Sequence, residues 1–131
     1  MKYMLLTYLD EKAWLAMSPA EQSTAMAECA PHVEKLLAQK KLLAGAPLHD
    51  TSTATTVKYR DGKRLLTDGP FAETREQLGG YSIIEARDLD DAIAIASGFL
   101  GTSPIPTIEV RPIVDLGGPV PMVGGEEGKR P

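Results

Sequence analysis

The residues of this 131-residue chain that could carry acid–base or nucleophilic chemistry are few: two histidines, one cysteine and a set of carboxylates around one unusual loop. His32 is a candidate general acid or base, because an imidazole changes charge near neutral pH. A half-buried structural histidine is the alternative. Asp68 opens the segment Asp68-Gly69-Pro70-Phe71-Ala72-Glu73-Thr74-Arg75-Glu76-Gln77-Leu78-Gly79-Gly80-Tyr81. Pro70 has no N–H where a turn aspartate ordinarily finds its partner, so the Asp68 carboxylate must reach a more distant donor or a ligand. An Asp68 carboxylate close to His32 would favour the imidazolium and pass a proton to or from a bound ring or carbonyl compound. A carboxylate that only organises its own loop is the other reading. Glu109 and Arg111 lie two apart on the same face of a strand, where Arg111 could hold an oxyanion or a carboxylate. An ion pair, within the chain or between subunits, is the preferred reading of that spacing, since unpaired charges on an inward face are costly. Phe71 is an apolar anchor for the loop, and Glu73 and Glu76 are either ligand-facing or solvated. The expected cleft lies between the first helix, this loop and the last strand.

Other chemistry is disfavoured. Cys29 stands three residues before His32, on the same helix face. A thiolate–imidazole pair across Pro31 is a poorer reading than a small apolar side chain. One cysteine allows neither an internal disulfide nor a cysteine-rich zinc site. His49 and Asp50 complete no metal-binding spacing, so no metal is expected. Gly79-Gly80 is not a phosphate-cradling motif, and no cofactor is expected. Fourteen Lys and Arg against eighteen Asp and Glu give a net charge of -4, which argues against a nucleic-acid partner. With one Trp, four Tyr and two Phe there is little for a base-stacking platform. No apolar run is long enough to cross a membrane, and the N-terminus lacks the pattern of a signal peptide. The expectation is a cytoplasmic protein without a membrane partner.

The elements that must position these residues follow from local pattern. Lys2 to Leu9 reads as a strand. Ser18-Pro19-Ala20-Glu21 carries the cap, the first-turn proline and the reciprocal carboxylate of a helix start. The helix runs on through Met26, Cys29, Val33, Leu36 and Leu37, with a break expected near Cys29-Ala30 because of Pro31. Lys40 and Lys41 are expected in its last turn. Leu42 to Leu48 and Thr53 to Tyr59 read as strands. Asp61-Gly62 then reads as a two-residue hairpin turn into a strand from Lys63 to Thr67. Gly79-Gly80 permits a bulge before a strand from Gly80 to Ala86. Asp88 caps a helix whose apolar face is Leu89, Ala92, Ile93, Ala96 and Phe99. Thr107 to Val114 is the last strand. Eight of the final sixteen residues are Gly or Pro, so residues 116–131 are expected to be a mobile tail behind a domain spanning 1–115. Two strand–helix–strand units with a hairpin between them give an α+β fold. Its antiparallel sheet carries two helices on one face, and its other face needs a cover.

The Asp68–Tyr81 segment is similar to the signature of the DGPF proteins, a branch of the YCII-related domain family, with Arg75 where that branch commonly has Lys. Thr55-Thr56-Val57-Lys58 resembles the family's strand before the hairpin, and Ile108-Glu109-Val110-Arg111-Pro112 its closing strand. The resemblance covers roughly residues 1 to 115. It implies a ferredoxin-like α+β domain that pairs as a homodimer in a dimeric α/β barrel. It also implies a His–Asp pair that would fall on His32 and Asp68. The wider superfamily is similar to small monooxygenases, isomerases and lyases acting on ring-shaped compounds. Two functions are therefore expected to compete. One is binding of a small ring-shaped or carbonyl compound, with cofactor-free acid–base chemistry. The other is a non-catalytic ligand-binding or regulatory module beside sigma-factor-dependent transcription.

Overall fold

The computed structural model describes residues 1–115, and the expected mobile tail lies outside the described residues. The chain order is β1 (Lys2–Leu9), α1 (Glu11–Ala16), α2 (Pro19–Ala27), α3 (Ala30–Ala38), β2 (Leu42–Pro47), β3 (Thr55–Arg60), β4 (Lys63–Asp68), β5 (Gln77–Glu85), α4 (Leu89–Gly98) and β6 (Thr107–Pro112). Four strands form one antiparallel sheet in the order β2-β5-β1-β6, while β3 and β4 form a separate hairpin. The two strand–helix–strand units interleave, each placing its first strand at the centre of the sheet. This is the ferredoxin-like α+β arrangement with an added hairpin.

Local chemistry sets most of the element ends. The Ser18 hydroxyl accepts from Glu21 N–H at 3.1 Å, and the Glu21 carboxylate accepts from Ser18 N–H at 2.9 Å, so both orphan donors at the start of α2 are satisfied. Those bonds hold the Glu21 carboxyl below its ordinary range. Pro31 sits in the first turn of α3, where its missing N–H costs nothing, and the helix pattern breaks before it at Glu28 and Cys29. Asp61 and Gly62 both have positive φ, 52° and 75°, as a tight hairpin turn requires. The Asp88 carboxylate caps α4 by accepting from Asp91 N–H at 2.9 Å.

Several expectations are corrected. Helix α1 stands in a stretch where the sequence pattern predicts no element; Asp10 caps it by accepting from Lys12 and Ala13 N–H. Lys40 and Lys41 lie past the end of α3, and Lys40 has φ of 57°, so neither sits in the last helical turn. Thr51–Thr53 forms a 3₁₀ turn rather than the start of β3, because the Glu11 carboxylate takes both the N–H and the hydroxyl of Thr51. Asp68 closes β4 rather than opening a loop. Gly69 turns to φ 95°, a conformation open to glycine, although a residue ahead of proline ordinarily stays extended. Strand β5 begins three residues early, at Gln77, and β6 ends at Pro112.

The core lies between the sheet and α3 and α4. Tyr3 and Leu5 of β1 and Ile84 of β5 pack under Leu36, Ala92, Ile95 and Ala96. Leu89 and Ile93 are 51% and 47% exposed, so of the expected face Ala92, Ala96 and Phe99 pack inward, and Ile95 takes the place of Leu89 and Ile93. The two alanines let the helix lie close to the sheet while Ile95 fills the space between. His32 ties α3 to α4: its Nε2–H donates to the Ile95 carbonyl at 2.8 Å, and its ring meets Phe99 edge-on at 4.8 Å. Gly98 makes room for that ring, since a Cβ there would lie 2.3 Å from His32 Cε1. Gly98→Ala is therefore expected to destabilise the protein by about 1–3 kcal/mol in a denaturant titration, the usual cost of overpacking. In a His32→Ala background the same change should be neutral or stabilising by up to about 1 kcal/mol, through helix propensity alone. Equal effects in the two backgrounds would show that the ring and Gly98 are not coupled.

Candidate functional site

Side-chain volume runs out along the helix-facing side of the sheet. On β1 the positions pass from Tyr3 and Leu5 to Thr7. On β5 they pass from Ile84 to Ser82 and Gly80. On β2 they pass from Leu42 to Gly45, because Leu42 pairs with Ile84 and Gly45 with Ser82. Gly45 is required here: a Cβ would lie 2.9 Å from the Tyr81 carbonyl oxygen and 3.2 Å from Ser82 Oγ. Thr7 pairs with Gly80 but Tyr8 with Leu78, so Gly79 is the extra residue of a bulge, as the glycine pair suggested.

Above this thinned floor the helices leave a cavity of about 760 Å³. Met26, Cys29, Val33 and Leu37 form its roof, Trp14 of α1 closes one side, and Leu100 and Ile105 from the α4–β6 connection close another. The roof is held lightly. Helix α2 has no buried residue. Gln22 Nε2 donates to the Trp14 carbonyl at 2.8 Å, and the Glu28 carboxylate accepts from Thr102 N–H at 3.0 Å. That second bond ties the α2–α3 break to the loop that closes the cavity.

Among the described residues, those lining the cavity include no carboxylate, imidazole, ammonium or guanidinium. The Cys29 thiol donates to the Phe99 carbonyl at 3.1 Å. Burial, with the adjacent Glu28 charge, pushes that thiol above its ordinary range. It stays protonated near neutral pH and is no nucleophile. The polar side chains that remain are neutral: the hydroxyls of Thr7, Ser82 and Ser103 and the Trp14 indole.

The residues singled out from the sequence are not gathered there. His32 lies between α3 and α4, bonded to Ile95, and does not line the cavity. Asp68 is exposed at the end of β4 and has no bond to His32. Phe71 is 81% exposed and pins no part of this chain. Glu73 is exposed as well. Glu109 and Arg111 do come together, on the sheet face away from the helices: Arg111 Nε donates to Glu109 Oε2 at 3.1 Å and Tyr8 OH donates to Oε1 at 3.3 Å. The Arg111 bond holds the Glu109 carboxyl below its ordinary range, and Glu109 in turn raises Arg111. Tyr8 is the member of that cluster the sequence reading missed. Trp14 and the floor residues Thr7, Gly45, Gly80 and Ser82 were missed for the cavity. The visible signal for them was small residues on the inward positions of three adjacent strands. Among the described residues no three His, Cys, Asp or Glu side chains are grouped to hold a metal ion, and no helix is long and apolar enough to cross a membrane.

The sequence profile of the YCII-related domain matches residues 1–116. An uncharacterised protein of Rhizobium meliloti (strain 1021) is 35% identical over 114 residues, which cover 86% of this chain and 92% of that protein. With the ferredoxin-like topology and a profile match across all the described residues, the chain belongs to the YCII-related domain family.

Proposed function

We propose that this protein binds a small, uncharged, ring-shaped compound in the cavity beneath α2 and α3. The observation that carries the reading is the lining: about 760 Å³ of mainly apolar surface with no ionised side chain among the described residues. That volume lies within the ~300–1,000 Å³ of ordinary small-molecule sites. An ion brought into it would lose its water and gain no counter-charge, whereas a neutral ring loses little and buries apolar area. Acid–base turnover would need a proton-transfer group within hydrogen-bond reach of the ligand. The best candidates, His32 and Asp68, stand apart from the lining, which favours binding without turnover.

The proposal extends to assembly and setting. The chain acts as a cytoplasmic homodimer of the DGPF branch, on the strength of its Asp68–Tyr81 segment. Two apolar surfaces favour a second copy as cover. One is the sheet face carrying Met4, Leu6 and Tyr81. The other is the hairpin face where Val57 pairs with Leu66 beside Tyr59, all three exposed. Light scattering at micromolar concentration should give about twice the 14.1 kDa chain mass; a monomer would remove the paired-sheet reading.

For the cavity, a neutral naphthalene-type fluorophore should bind at one site per chain and shift its emission to the blue. Ala25→Trp, which fills the lining from α2, should weaken it by roughly tenfold or more through lost volume. An anionic fluorophore of the same size should bind less well. Equal affinity in Ala25→Trp, or a preference for the anion, would overturn the reading.

A further inference from the structure

The cavity floor carries two hydroxyls that packing alone does not explain. Thr7 and Ser82 continue the inward rows that begin with Tyr3, Leu5 and Ile84, and both line the cavity. Among the described residues neither hydroxyl has a hydrogen-bond partner. Neither is sealed away, since among the described residues no buried side-chain polar atom is left without a partner, and both residues line the cavity. Valine and alanine would fill the same positions with nearly the same volume and no polar atom to desolvate. An unpartnered hydroxyl in an apolar site costs about 1–3 kcal/mol once a ligand displaces water from it, unless the ligand supplies the missing bond.

The two residues are also placed to act together. Thr7 pairs with Gly80, and Ser82 is two residues further along β5, so Thr7 and Ser82 are diagonal neighbours on one face. Such neighbours stand about 7–8 Å apart, with side chains closer. A carbonyl oxygen has two lone pairs and can accept from both hydroxyls at once. Around them the floor is Gly45 and Gly80, which leaves a flat bed, and Trp14 and Val33 stand on the helix side. We infer that Thr7 and Ser82 form a paired hydroxyl anchor for one carbonyl oxygen of an otherwise apolar, planar ligand. The anchor sets the ligand class to neutral aromatic or cyclic ketones and aldehydes and sets the end of the ligand that faces the sheet. This inference rests on the cavity being the binding site.

The test uses two fluorophores of one skeleton, a propionyl-substituted dimethylaminonaphthalene and the same compound without the propionyl group. The full-length wild-type protein should bind the carbonyl compound roughly tenfold more tightly, as two neutral hydrogen bonds provide. Thr7→Val with Ser82→Ala should lower that preference to about twofold or less. Binding of the carbonyl-free compound should become tighter, because no hydroxyl is then stripped of water without a partner, and that retained binding also shows that the variant folds. If both compounds bind the wild type equally, or if the preference survives in the double variant, the hydroxyl anchor is wrong while the cavity stands. If neither compound binds the wild type, the cavity reading fails and the anchor with it.

Discussion

The packing of Leu5 and Ile84 beneath α3 and α4 fixes which way every strand of the main sheet faces. Strand side chains alternate, so once these two residues point at the helices, Thr7, Ser82 and Gly80 must do so too. The core then ends where the inward side chains become too small to reach the roof. The same alternation sends Met4, Leu6, Tyr8 and Tyr81 to the opposite face, with the Tyr8–Glu109–Arg111 cluster at its β6 edge. One register thus produces a packed core, an adjoining cavity and an uncovered sheet face.

The cavity joins a firm floor to a lightly held roof. The floor is sheet backbone, in which β1 and β5 are bonded on both sides and the edge strand β2 on one. The roof is a helix with no buried residue, followed by a break at a proline and fastened by a few polar bonds at its ends. Segments with few buried apolar contacts open at lower free energy than the core they cover. The α2–α3 roof is therefore the part of the cavity wall that gives most readily around a ligand, and the sheet is the part that would orient it.

Much of the fold was legible because local chemistry decides it. The capping box at Ser18 and Glu21, the Pro31 break and the Asp61-Gly62 turn each follow from a steric or hydrogen-bonding requirement carried by those residues themselves. Helix α1 was missed because six residues are too few to show a helical period, although Asp10 was a usable cap. The site was less legible. Met26, Cys29, Val33 and Leu37 have the spacing of a core stripe, and spacing cannot tell whether the facing surface is filled. What decides that lies on other strands, at Gly45, Gly80, Ser82 and Thr7, and those residues become one surface only through the sheet register. His32 shows the converse. Its residue type suggested proton transfer, yet its imidazole joins two helices through the Ile95 carbonyl and the Phe99 ring. The Asp68–Tyr81 segment marked the family clearly, but it stands away from the cavity lining up to Leu78, and only Gly79, Gly80 and Tyr81 reach it.

The central claim is that the ligand lies between the thinned end of the sheet and the α2–α3 roof. Mapping of backbone amide shifts on adding a neutral aromatic ketone tests it most directly. The account predicts the largest changes at Cys29, Gly45, Gly80, Ser82 and Leu100, with little change at Asp68, Glu109 and Arg111. Changes centred on Asp68, Glu109 and Arg111, with Gly45, Gly80 and Ser82 unmoved, would contradict it.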